Sequence, residues 1–156
     1  MRKLVGTLTL CCGLISGPAA IAATGNVIFN GTIAATCVLV VNANGTMTVS
    51  ADLQTLSSHN AGGSAGTVTL TTTGGVNISV DPVTVVTAPP ADTTSTTWSP
   101  TYATSGIHTF AEGSVSHALA TPGIDTVTVH LAGTKSGANA FTQGNYQAQV
   151  TVRCEP

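Results

Sequence analysis

The chain has 156 residues, of which 42 % are apolar and only 6 % charged, for a formal net charge of −2. Beyond Arg2 and Lys3 its only bases are Lys135 and Arg153, set against six acids. That excludes the clustered Lys and Arg that displace counterions from nucleic acid or hold a protein to an anionic membrane surface.

The N-terminus reads as an export signal. Arg2 and Lys3 precede an apolar run over residues 4–15, Gly17 and Pro18 break it, and Ala20-Ile21-Ala22 has a small-x-small pattern. This predicts a secretory signal peptide over residues 1–22, cut after Ala22 or Ala23. The run is shorter than the roughly twenty apolar residues of a membrane-spanning helix. Acylation at Cys11 or Cys12 is disfavoured, because Leu10 is not the small residue expected before a lipidated cysteine. No later segment is apolar enough to insert as a helix, so no membrane insertion is expected. The remainder, residues 23–156, is the length of a single domain. Cys11 and Cys12 leave with the signal, so Cys37 and Cys154 form the remaining pair in an oxidising compartment. We expect them to be bonded. Closing so long a loop contributes roughly 4–5 kcal/mol in the chain-entropy model.

Abundant Thr and Val, scarce helix formers, and 17 Gly with 7 Pro are the composition of an all-β domain rich in turns. Residues 26–41 (NVIFNGTIAATCVLVV) predict one long strand, with a bulge or break at Asn30-Gly31. Asn44-Gly45 predicts a turn. Residues 46–56 alternate through Met47, Val49, Ala51 and Leu53, predicting a second strand. Residues 57–66 predict a loop, residues 67–73 a strand through Val68 and Leu70, and Gly74-Gly75 a turn. Residues 76–80 predict a short strand that Pro82 ends, and residues 83–87 another. Residues 88–99 (APPADTTSTTWS) predict an exposed loop. Weak strands follow at 101–104, 107–110 and 114–119. Residues 126–131 (TVTVHL) predict a strong strand, and residues 135–142 a loop. The last run is the cleanest. Tyr146, Ala148, Val150, Val152 and Cys154 share one face, and Gln147, Gln149, Thr151 and Arg153 the other. One buried and one wet face suits an antiparallel sandwich.

Three of these runs carry a resemblance. GNVIFNGTIAATC (residues 25–37) and QGNYQAQVTV (residues 143–152) resemble the first and last strands of chaperone–usher pilins, closest to the archaic branch grouped with spore coat protein U. GGVNISV (residues 74–80) is similar to that branch's second strand. The resemblance implies an immunoglobulin-like antiparallel β-sandwich lacking its last strand, completed first by a periplasmic chaperone and then by a neighbouring subunit. It implies an exported pilin-like structural or adhesive subunit, passing through the periplasm and an usher to the cell surface or the extracellular space. Val27, Phe29 and Ile33 on one side, and Tyr146, Ala148, Val150 and Val152 on the other, would flank the open groove. On this alignment, cleavage leaves only one or two residues before the first strand and no free segment to donate. A Cys37–Cys154 bond would tie the two flanking strands and narrow the groove. The alternative is a self-complete secreted sandwich that binds a glycan or protein as a monomer.

Reactive constellations are sparse. No GxSxG elbow is present, the Gly-rich NAGGSAG lacks the Lys of a phosphate loop, and paired acids for glycoside cleavage would have to come from only a few candidates. We expect no enzyme and no cofactor. His108, Glu112 and His117 invite a metal reading, but their spacing fits no helical or finger template, and no metal site is expected. Trp98 and Tyr102, with Phe110, offer a candidate ligand platform. The competing reading makes Trp98 the packed tryptophan of the core.

Overall fold

The computed structural model describes residues 23–156; the expected export segment, with Cys11 and Cys12, lies outside them. Residues 32–156 form one compact unit, and residues 23–31 fall outside it. Among the described residues there is no helix. Twelve strands are present: β1 (Cys37–Ala43), β2 (Thr48–Val49), β3 (Thr55–Ser57), β4 (Gly66–Thr72), β5 (Val76–Val80), β6 (Val85–Thr87), β7 (Thr96–Gly106), β8 (Phe110–Gly113), β9 (His117–Leu119), β10 (Gly123–Lys135), β11 (Gln147–Gln149) and β12 (Val152–Glu155).

The long strand β10 organises the larger sheet. One edge pairs with β7 along its length, from Asp125↔Gly106 to Lys135↔Thr96. The other edge pairs with β4 and then with β3. β1 extends the sheet beyond β4, β2 beyond β3, and β8 beyond β7. The opposing layer runs β12-β5-β9, and a short β11-β6 ladder continues it. All pairings are antiparallel.

The period-two pattern sets which side chains meet. Val68 and Leu70 of β4, Tyr102 of β7 and Val127 of β10 face Val76, Ile78 and Val80 of β5 and Leu119 of β9. Each such aliphatic side chain contributes about 1.5–3 kcal/mol when fully buried. The Tyr102 hydroxyl lies 3.0 Å from the Ile78 carbonyl and 2.8 Å from that of Val115. Burial pushes its pKa up, and the ring ties the two layers together. The chain passes between the layers at Gly74-Gly75. Both residues have positive φ, and a Cβ on Gly74 would meet the Ala120 carbonyl at 2.7 Å, so only glycine makes this turn cheaply.

Several expected elements differ. Residues 107–109, expected within a weak strand, form the turn between β7 and β8, and residues 96–99, expected as the end of an exposed loop, begin β7 and pair with residues 132–135 of β10. The first strand begins at Cys37, not at Asn26; residues 23–36 form no strand. Residues 46–56 are not one strand but a hairpin, β2 and β3. Asp52 folds the turn by accepting from Ser50 Oγ and, at 3.0 Å, from Gln54 N, with Leu53 at φ 59°. These local bonds compete successfully with the extended form. The last strand is split into β11 and β12, opposite the split between β5 and β6. Pro82 has no N–H to continue the ladder there, and only Asp81 N reaches across, to Thr151 O at 2.9 Å.

Candidate functional site

The two layers do not meet on one side. β1 pairs only with β4, and β11 and β12 only with β6 and β5, among the described residues. Their outer edges flank a cleft of about 450 Å³. Leu39 and Val41 line one wall and Ala148, Val150 and Val152 the other, over a floor that includes Val68, Val129 and Leu131. The site is therefore an apolar slot bordered by two rows of unpaired backbone N–H and C=O groups, the arrangement that templates pairing with a further strand.

At one end the slot is closed by the Cys37–Cys154 disulfide, where the Cα atoms stand 6.4 Å apart. β1 leaves this bond while β12 arrives at it, so the two edges run antiparallel. Any strand seated between them lies parallel to one and antiparallel to the other. The bond narrows the slot only at its end, since Leu39, Val41, Ala148 and Val150 still line open space.

Ala148, Val150 and Val152 line one wall of this cleft. Tyr146 does not. Its hydroxyl lies 2.7 Å from Asp92 Oδ2, and its ring packs edge-on against Phe141, because the chain turns in toward the loop before β7. Val27, Phe29 and Ile33 flank nothing as strand residues. They precede β1 and are 77, 91 and 85 % exposed. Sequence reasoning missed Leu39 and Val41 as the true β1 wall; their alternation with Val38 and Val40 carried that signal once the strand start was known.

The proposed aromatic platform does not form. Tyr102 is buried in the core with 1 % of its surface exposed. Trp98, half-buried, sits on the inward side of β7 at the rim of the sandwich, beside Val80, Pro82 and Pro100. Its ring lies over Gly133, its cross-strand partner, where a Cβ would come within 2.6 Å of the ring.

The few charges are used internally. The Lys135 ammonium is 2.6 Å from Asp92 and 2.8 Å from the Thr94 carbonyl, pinning the loop before β7. Arg153 forms a two-pronged pair with Asp81, at 3.0 and 2.6 Å, and reaches Glu155 at 2.6 Å. Its hydrogen bonds hold the Asp81 carboxyl below the usual carboxylate range. His108 donates its backbone N–H to Asp125 and places Nδ1 2.7 Å from that buried carboxylate, with Nε2 3.1 Å from Thr121 Oγ1. The chain of groups resembles a nucleophile–base–acid relay, but neither described cleft reaches it. It locks the β7–β8 turn onto the start of β10. The set His108, Glu112 and His117 does not converge, since His117 instead stacks on Phe110 at 4.1 Å.

Compared with family models, curated proteins and solved structures, the chain matches none.

Proposed function

We propose that the chain is a pilin-like structural or adhesive subunit of a bacterial surface fibre or coat, joined to its neighbours by β-strand addition. A periplasmic chaperone and an usher are the transit partners that the resemblance implies. The observation that carries this reading is the apolar slot between the unpaired edges of β1 and β11–β12. Leaving such edges unpaired is costly, and a strand from another molecule relieves both at once.

The late start of β1 adds a donor that the sequence alignment had denied. Within residues 23–36, Val27, Phe29 and Ile33 are spaced to share one face of an extended strand, with Gly31 between them. At about 3.3 Å per residue, the stretch 27–33 matches the seven residues of β1. The subunit thus carries both halves of a strand exchange, a slot and a segment to fill a neighbour's slot.

The test uses a chain beginning at Thr36 and a synthetic peptide of residues 24–35. The peptide should bind and raise the unfolding free energy, by about 2.7 kcal/mol at a hundred times its Kd. The full mature chain should form concentration-dependent oligomers that the truncated chain does not. A truncated chain that is already monomeric and cooperatively folded, and that the peptide leaves unshifted, would sink the reading in favour of a self-complete monomer.

A further inference from the structure

The outer face of the larger sheet holds a second constellation. His59 lies in the turn after β3, Glu112 in β8 and His130 in β10. The register brings them together. His130 sits opposite Thr101 of β7, and Thr101 Oγ1 donates to Glu112 Oε1 at 2.5 Å, drawing the carboxylate over the sheet. His59 Nε2 is 2.9 Å from that same carboxylate oxygen. The His59 and His130 rings stack at 3.8 Å, tilted by only 13°. One ligating atom from each residue lies within 4.8 Å of the others.

We propose that His59, Glu112 and His130 form a surface site for a borderline-soft divalent transition-metal ion such as Zn²⁺. Two imidazoles and one carboxylate are a donor set that suits zinc and leaves a coordination position open. Two of the three ligands, His130 and Glu112, are held by a residue outside the set. Ser58 Oγ lies 3.0 Å from His130 Nδ1, which leaves Nε2 to face an ion. Thr101 holds the carboxylate. Such outer partners set tautomer and ring direction in metal sites. The charge states also suit an ion. The hydrogen bond from Thr101, aided by His59, holds Glu112 below the usual carboxylate range. Burial, and next the neighbouring His59, pull the His130 pKa down.

Binding requires modest movement. Zinc bonds of about 2.0–2.2 Å place tetrahedral ligands roughly 3.3 Å apart, so the cluster must close slightly. The stacked rings must also turn until their lone pairs converge. Both movements are open to His59, whose side chain is 49 % exposed, and to Glu112, at 38 %. The ion takes the place of the hydrogen between His59 Nε2 and Glu112 Oε1, and the neutral ring carries its one hydrogen on Nδ1 instead. A bound ion ties the turn after β3 to β8 across the exposed face of β10.

The test titrates Zn²⁺ alone into the purified mature chain, by calorimetry and by NMR of the histidine rings. One ion per chain should bind. The resonances of His59 and His130 should move, and those of His108 and His117 should not. Glu112→Gln keeps the shape of the side chain and a partner for Thr101, and His130→Ala removes a ligand. Each should weaken binding on the order of 100-fold, the upper end of what loss of an outer partner costs, while the circular dichroism spectrum is unchanged. Binding weaker than about 1 mM, full binding retained in both variants, or shifts confined to His108 and His117 would each overturn the proposal.

Discussion

Lys135→Met isolates the one ion pair among the described residues that is fully enclosed. The Lys135 and Asp92 side chains are 0 and 2 % exposed, with Nζ 2.6 Å from Oδ1. Asp92 also accepts from Tyr146 at 2.7 Å and from Thr94 N at 3.2 Å. Burial by itself would raise the Asp92 pKa, but the hydrogen bonds from Lys135, Tyr146 and Thr94 outweigh it. They hold the carboxyl far below the usual carboxylate range. Removing the ammonium leaves a buried, uncompensated carboxylate. The expected loss is about 3–5 kcal/mol, a large share of the stability of a small domain.

The pH dependence makes the reasoning sharper. In the native chain the depressed Asp92 pKa contributes stability that is full above the unfolded value of about 3.9 and is lost as pH falls toward the native one. In Lys135→Met only the Tyr146 and Thr94 hydrogen bonds still oppose burial, so the folded pKa moves up toward the unfolded one. The stability lost on acidification then shrinks, and the slope on the acid side flattens. Adding Asp92→Asn to Lys135→Met neutralises the orphaned group while its amide oxygen still accepts from Thr94, and should recover about 2 kcal/mol or more. Urea unfolding between about pH 3 and 7, followed by the fluorescence of Trp98, measures all three effects. A loss in Lys135→Met below about 1 kcal/mol, as for an exposed pair, or an unchanged slope, would refute the account.

Two further outcomes follow from packing and connectivity. Replacing Cys37 and Cys154 with serine should lower stability by roughly 4–5 kcal/mol, since the bond spans 117 residues of sequence; equal denaturation midpoints with and without reductant would contradict this. Gly133→Ala drives a methyl group into the Trp98 ring at 2.6 Å and should cost about 1–3 kcal/mol. The combination with Trp98→Leu should remove most of that cost in thermal unfolding followed by circular dichroism.

The alternation of apolar residues determined a good deal by itself. Val68 and Leu70, Val76 to Val80, and Val127 to Leu131 turn inward as read, because a strand's period of two leaves one assignment of faces once one face must be buried. Ala148, Val150 and Val152 were read onto one face for the same reason. The disulfide was legible too, on the expectation that Cys11 and Cys12 leave with an export signal. Where β1 begins was not legible. Residues 26–36 have the same alternation as a paired strand, and whether a segment finds a partner depends on which edges are free, not on its own sequence. That difference decides whether Val27, Phe29 and Ile33 are the wall of a slot or a segment able to enter one. The hairpin at Asp52 was hidden because local hydrogen bonds overrode a strand-like pattern. The His59–Glu112–His130 cluster was invisible for a further reason. Its members come from three separate segments, and only the register of β10 on β7, with Glu112 held by Thr101, places them side by side. Local periodicity is written in the chain; pairing and convergence depend on contacts between residues far apart in sequence.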